Sequence, residues 1–309
     1  MQFNEYLKSC REHSGLTQEE LVQNLYIDNI DDFGGLNTTT LSKWERGVTK
    51  PKTTKQVNII KYFQKRTGVA LPCWEKYSVS ETEELICKMG MKNLLGKSKE
   101  LILNLPNAMI GTDDLKVYQL RDSNMIDKII DLHMGLDKTY NDDTTRVSAD
   151  QIKEWALYPH NSLFYCEYLN QFFGLLFMLR LKPAVFDKMM SCEIQEEDLC
   201  INDFASFDEM GSSYIFSFFA MNEKTASLLF IRYYAHLIAN QKVIKEVGIA
   251  TMSEDTKKII GNLNLKYRSS IKLKENMELQ TYRETLAKFL ASEKVIKMIL
   301  SKQDCPEEG

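Results

Sequence analysis

Apolar side chains recur at helical spacing from the first residues onward. Phe3, Tyr6, Leu7 and Cys10 form one stripe of a helix predicted over Phe3–Ser14, which Gly15 ends. Thr17 opens a second helix, with Glu20 three residues on as the partner of a capping box, and Leu21, Val22 and Leu25 continue its buried side. Asn37 or Thr38 caps a short third helix over TTTLSKWERG, stopped at Gly47. Thr53 caps a fourth, in which Val57, Ile60 and Phe63 are spaced for a core. Between the second and third helices lies YIDNIDDFGGLN, with Asp28, Asp31 and Asp32. It reads as a solvated loop, or alternatively as a contact to a partner subunit.

Beyond Gly68 the pattern changes. Pro72 and a polar run mark a domain boundary. Ser80 caps a helix with Glu83 as its box partner, and a further helix is expected near Asn93 to Leu105. Helices this short must pack on a neighbour or on a second copy of the chain. From about residue 112 strands and helices mix. Strands are expected at Lys116–Leu120, Ser162–Leu169, Phe172–Leu181, Tyr214–Met221, Val243–Ala250 and Lys266–Leu273. Helices are expected at Ser123–Leu136, Ala149–Ala156, Lys224–Asn240 and Glu254–Asn262, with a last long one at Glu278–Leu300. The turn at Asn170-Gln171 makes the second and third strands a hairpin. The fold class is therefore multidomain: an all-α N-terminal domain (1–68), a helical connector (69–111) with a candidate dimer contact, and a mixed-sheet α/β domain with flanking helices (112–309).

Composition adds little to this. At 309 residues, 44% hydrophobic and 27% charged, the chain is an ordinary globular one, which excludes wholesale disorder, collagen and a disulfide mini-protein. Seven cysteines without CxxC spacing suit a reduced compartment and suggest no zinc site. The histidines (His13, His133, His160, His236) add no metal motif. The start lacks an apolar signal core, and the longest apolar stretch, Phe172 to Leu179, is far short of a membrane span, so a cytoplasmic protein without a membrane partner is expected.

Charge changes the picture more. The net charge is −4, but Lys43 to Arg66 carries eight basic residues and one acid, Glu45. Residues 1 to 78 hold 11 basic and 9 acidic side chains, a net of +2; the remainder hold 28 and 34, a net of −6. A basic cluster on an acidic body suggests a nucleic-acid contact face beside a part that does something else.

The run LKSCREHSGLTQEEL followed by TLSKWERGVTKPKT resembles the Xre family of phage-repressor-like helix-turn-helix proteins. The matching elements are Arg11, Gly15 to Leu21, Ser42, the Trp44-Glu45 pair, Gly47 and Pro51, within residues 1 to 68. The resemblance implies that Arg11 and Glu45 pair and hold the recognition helix at its angle, with Trp44 as an apolar plug behind it. It implies that Gln18 and nearby backbone amides reach a phosphate. Thr38, Thr39 and Lys43 would approach base edges of double-stranded DNA, with Thr40 and Ser42 on the same helix, and Arg46, Lys50 and Lys52 would meet backbone phosphates. Binding as a homodimer on two half-sites would follow. The segment from Tyr26 to Asn37 departs from the family, whose second and third helices are joined by a much shorter turn.

The element order of the C-terminal part resembles the GNAT acyltransferase superfamily: a hairpin, a strong central strand, a long helix, a strand and a short helix. That superfamily cradles the CoA pyrophosphate with glycines after the central strand, whereas here the junction reads MNEKTASLLF, with Thr225 and Ser227 near the glycine positions. Where the superfamily has a tyrosine donor, the matching position is Ile260, which has no proton to give. The resemblance thus implies a degenerate domain without the usual acetyl-CoA motif and without a resident cofactor. Glu223, Lys224, Thr225, Ala226 and Ser227 remain as candidate contacts for a small-molecule effector. The alternatives are an active N-acyltransferase carrying a DNA-binding domain, with Glu193, Glu196, Glu197, Tyr214 or Tyr267 as acid or base, and a body that grips another protein. The expectation is a sequence-specific transcriptional regulator.

Overall fold

The computed structural model of the chain describes residues 1–74, 77–91, 115–120, 126–127, 129–131, 134–135, 147–274 and 277–300. In chain order the helices α1 (Phe3–His13), α2 (Gln18–Asp28), α3 (Ile30–Phe33), α4 (Thr38–Glu45), α5 (Thr53–Thr67) and α6 (Val79–Gly90) come first. Then follow β1 (Leu115–Gln119), α7 (Ala149–Leu157), β2 (Ser162–Tyr168), β3 (Gln171–Leu181), α8 (Pro183–Met190), β4 (Gly211–Ala220) and α9 (Glu223–Ala239). The chain continues with β5 (Ile244–Thr251), α10 (Glu254–Asn262), β6 (Lys266–Lys274), β7 (Met277–Thr285), α11 (Leu286–Leu290) and α12 (Glu293–Ile299). It divides into two compact units: Met1–Glu100 with Ile231–Gln241 and Leu286–Gly309, and Leu101–Phe230 with Lys242–Thr285.

The first unit is helical. The stripe predicted for α1 is its buried face, with Phe3, Tyr6, Leu7 and Cys10 inside, and Leu21, Leu25, Leu41, Ile59, Ile60 and Phe63 close the core beside it. The second half of α9 and helices α11 and α12 belong to this unit, α12 lying against α5 and α6. The close approach of α6 is set by Gly90. A Cβ there would stand 2.8 Å from Ile231 Cγ2, so only glycine fits without displacing it.

The second unit is built on one seven-stranded sheet in the order β1-β2-β3-β4-β5-β7-β6. Every neighbouring pair is antiparallel except β4 and β5, which run parallel. Parallel pairing reaches Ile215 opposite Ile249, while β4 runs on to Ala220. The core of this unit includes Trp155, Phe177, Phe186, Phe204 and Tyr214, with Trp155 edge-on to Phe204 and Phe216. Helices N-terminal to a mixed sheet with flanking helices are the architecture that the sequence order implied.

Several expectations are corrected. The segment after Tyr26 is not an open loop: α2 continues to Asp28, and α3 follows, capped by Asn29 and burying Phe33. Two of its three acids are engaged, Asp28 by Lys65 at 2.7 Å and Asp32 by Asn29 and Asn58. Lys52, not Thr53, occupies the N-cap of α5 and makes no side-chain cap. The box of α6 is Ser78 with Glu81, half a turn earlier than Ser80 with Glu83; this leaves the Glu83 carboxylate for His236 Nδ1 at 3.1 Å. The hairpin turn is Leu169-Asn170, both at positive φ, one residue ahead of the predicted pair. The long helix expected over Glu278–Leu300 is instead β7 followed by two short helices. Helix α8 follows β3 directly and had no counterpart in the sequence reading. The helix expected near Asn93 to Leu105 lies outside the described residues. Of the one expected over Ser123–Leu136, those residues that are described are helical.

Candidate nucleic-acid interface

Helix α4 is short, and its ends are chemically defined. Asn37 Oδ1 accepts the Thr40 N–H at 2.8 Å, which starts the helix, and Arg46 ends it, its backbone N–H bonding the Ser42 carbonyl. Leu41, Trp44 and Glu45 form the buried side. Thr38, Thr39 and Lys43 are exposed, as are Arg46, Lys50 and Lys52 after the helix, and Thr40 and Ser42 are half-buried. Thr39, Lys43 and Arg46 follow one another at i, i+4 and i+7, so they share one outward face.

Glu45 holds this face in place. It is 7% exposed and takes three hydrogen bonds: from Arg11 Nε at 2.6 Å, Arg11 Nη2 at 3.1 Å and Gln18 Nε2 at 2.8 Å. Arg11 Nη1 goes to the Leu16 carbonyl at 2.9 Å, so one guanidinium ties α1, the turn before α2 and α4 together. Its hydrogen bond to Glu45, opposed by burial, raises the Arg11 pKa above the ordinary arginine value. The pair implied by the resemblance is therefore formed. Gln18, expected at a phosphate, also donates one amide N–H to Glu45 at 2.8 Å, a contact that the sequence reading did not include. At the same N-terminus the Glu20 carboxylate accepts the Thr17 N–H at 2.7 Å, and that bond depresses its pKa. The signal for Gln18 lay in its place one residue after the cap, where the side chain can turn back toward the α4 end.

The junction of β4 and α9 was the candidate ligand site of the second unit. Asn222, 1% exposed, accepts the Thr225 N–H on its Oδ1 at 2.8 Å and so caps the helix. Thr225, Ala226 and Ser227 are fully buried, and Glu223 is 8% exposed with its carboxyl pKa raised by burial, while Lys224 is half-buried. Gly174 of β3 receives this turn: a Cβ there would stand 2.8 Å from Thr225 Cγ2 and 2.6 Å from the Phe219 carbonyl oxygen. The turn is thus packed onto the sheet with a carboxyl group at its head. A pyrophosphate at a helix head is favoured by open backbone amides and disfavoured by an acid beside them; here Asn222 takes the Thr225 amide and Glu223 stands at the head. Ile260 is buried, and Tyr267 is exposed with its hydroxyl on Ser270 Oγ at 3.1 Å. Among the acid–base candidates the structure joins Tyr214 and Glu196. The Tyr214 hydroxyl donates to the Glu196 carboxylate, and burial holds the phenol well above its ordinary pKa.

No family model matches the chain. It is 34% identical over 83 residues to the HTH-type transcriptional activator BcrR of Enterococcus faecalis, a match covering 27% of this chain and 36% of that protein. The chain thus matches little more than a third of this curated relative's length. Solved structures similar in part include an N-acetyltransferase from Staphylococcus aureus Mu50, at 10% identity over 56% of this chain and 97% of that one, with a TM-score of 0.37. FeeM, an N-acyl amino acid synthase from uncultured soil microbes, is 9% identical over 57% of this chain and 92% of its own, with a TM-score of 0.40. A GNAT-family acetyltransferase from Streptococcus agalactiae 2603 is 16% identical over 55% and 95%, with a TM-score of 0.35. No helix among the described residues is long and apolar enough to cross a membrane.

Proposed function

We propose that this chain is a sequence-specific DNA-binding transcriptional regulator of the Xre type, acting as a cytoplasmic homodimer, with a GNAT-like body that senses a small molecule or mediates assembly. One observation carries this reading. The buried side of α4 is fixed by Glu45 through three hydrogen bonds, while Thr39, Lys43 and Arg46 are presented on the opposite face. A rigid short helix with a polar, basic outer face is what the major groove admits. The partial similarity to a helix-turn-helix activator supports the same reading. In this proposal Thr38, Thr39, Thr40, Ser42 and Lys43 face bases, and Arg46, Lys50 and Lys52 face phosphates. Gln18 positions the helix through Glu45, and its second amide N–H serves a phosphate.

The second unit is proposed to bind an effector without acyl transfer. Its support is the packed turn at Thr225, together with two buried polar atoms, Asn222 Nδ2 and Ser227 Oγ, that have no hydrogen-bond partner among the described residues. The test is selection of bound fragments from the host genome with purified full-length chain, followed by titration on the enriched site. Recovery of a shared sequence, bound at least about 10³-fold more tightly than random duplex, is the expected result. Binding of all fragments alike would overturn the proposal.

A further inference from the structure

Cys10 and Cys73 are 63 residues apart in sequence and meet inside the first unit, Sγ to Sγ, at 3.0 Å. Cys10 is 1% exposed and points inward from the middle of α1, beside Arg11; Cys73, 9% exposed, follows α5. The backbone around Cys73 is fixed from two sides. The Gln241 side chain accepts the Leu71 N–H at 2.6 Å and donates to the Leu71 carbonyl at 3.1 Å. The Trp74 side chain is buried next door. Cys73 itself adopts φ 72°, a left-handed conformation that is costly for a residue with a Cβ. Two rigid supports therefore hold the sulfurs, 3.0 Å apart, within about 1 Å of the 2.05 Å bond length, and Cys73 is the less deeply buried residue of the two.

We propose that Cys10 and Cys73 form a peroxide-responsive dithiol, which closes to an internal disulfide tying α1 to the segment after α5. The co-reactant is a hydroperoxide, a molecule small enough to reach a nearly buried thiol through local opening. The Cys73 thiolate attacks the peroxide O–O bond, giving a sulfenic acid and expelling hydroxide. The Cys10 sulfur then attacks the sulfenic sulfur, the S–S bond forms, and the sulfenic oxygen leaves as water, while the two thiol protons end in the water produced. With hydrogen peroxide the balance is two thiols and one peroxide to one disulfide and two waters. The crosslink would close with little movement, so it stiffens α1, and with it the Arg11 support of α4, rather than rearranging them. The inference does not depend on the DNA-binding proposal.

The test uses the full chain carrying Cys192→Ser, Cys200→Ser and Cys305→Ser, which leaves Cys10, Cys73, Cys87 and Cys166 as its thiols. One equivalent of hydrogen peroxide is added, remaining thiols are alkylated after unfolding, and a non-reducing tryptic digest is read by mass spectrometry. A linked pair of peptides, Ser9–Arg11 with Thr67–Lys76, is expected, absent after reduction and absent in Cys10→Ser. The oxidised protein should melt at least about 4 °C higher than the reduced one. Recovery of both peptides alkylated, sulfinic or sulfonic acid on Cys73 without the link, or a disulfide between two chains would each overturn the proposal. Because the primary readout is on the thiols of a chain that keeps both cysteines, a poorly folded Cys10→Ser variant does not blunt it.

Discussion

At the scale of single residues, Glu45 carries the most. It is nearly buried and accepts from both Arg11 and Gln18, so Glu45→Ala removes the two strongest charge-assisted bonds of a mostly buried guanidinium, which keeps the Leu16 carbonyl and Glu12, and takes away the acceptor of the Gln18 amide. The expected loss is about 3 kcal/mol, read as a shift of the urea midpoint of the helical unit by circular dichroism. An unchanged midpoint would show that the three bonds contribute no net stability. Lys43 and Lys50 separate two other effects. Lys43 lies on the outward face of α4, so Lys43→Ala is expected to weaken the specific site by about 1–3 kcal/mol and to leave random duplex nearly unaffected. Lys50 lies after the helix, so Lys50→Ala should weaken all sequences alike and lower the salt slope by about one. Titrations on specific and random duplexes at three salt concentrations check both, and equal behaviour of the two variants would remove the distinction between base and phosphate contacts.

At the scale of elements, what was legible in the sequence depended on whether local chemistry was decisive. The Thr17–Glu20 box and the apolar stripe of α1 are local signals, and both are in place. The N-terminus of α6 offered two overlapping Ser-x-x-Glu boxes, and only the neighbouring His236, distant in sequence, shows what Glu83 does instead. Strand β7 could not be read from periodicity. Leu279, Tyr282, Leu286, Phe289 and Leu290 match a helical stripe, but Met277–Thr285 lies between β5 and β6, where both of its edges are paired. Its polar side chains find partners there: Thr281 Oγ1 donates to the Met190 carbonyl at 2.6 Å, and Arg283 meets Asp187 at 2.8 Å and Glu246. Tertiary pairing overrode the local pattern. The same holds for α3, whose polar composition concealed one anchoring side chain, Phe33. Phe33→Ala should cost about 3 kcal/mol, as for other fully buried phenylalanines, whereas a solvated loop would tolerate it. Chemical denaturation of the two proteins decides between them.

At the scale of the whole molecule, a helical unit with a net basic face and a mixed-sheet unit of opposite charge balance occur in one chain, and the candidate site was only half legible. The recognition-helix residues followed from a motif, whereas the second unit carries a layout without a motif, and its chemistry must be judged from packing. A pyrophosphate at the start of α9 would need backbone amides with room in front of them. Instead Asn222 occupies the Thr225 amide, Glu223 places a carboxyl group at the helix head, and the Thr225 methyl lies where Gly174 leaves space for it. Acetyl-CoA is therefore expected to give no binding heat at up to about 1 mM, corresponding to less than about 4 kcal/mol of affinity, and no thiol release with amine acceptors. The paired variant Glu223→Gln removes the carboxylate but keeps the packing, so it should not restore binding. If it did, charge alone and not closure of the turn would be the obstacle. Micromolar binding of acetyl-CoA by the unaltered chain, with steady CoA release, would overturn the sensor reading and make the second unit an acyltransferase.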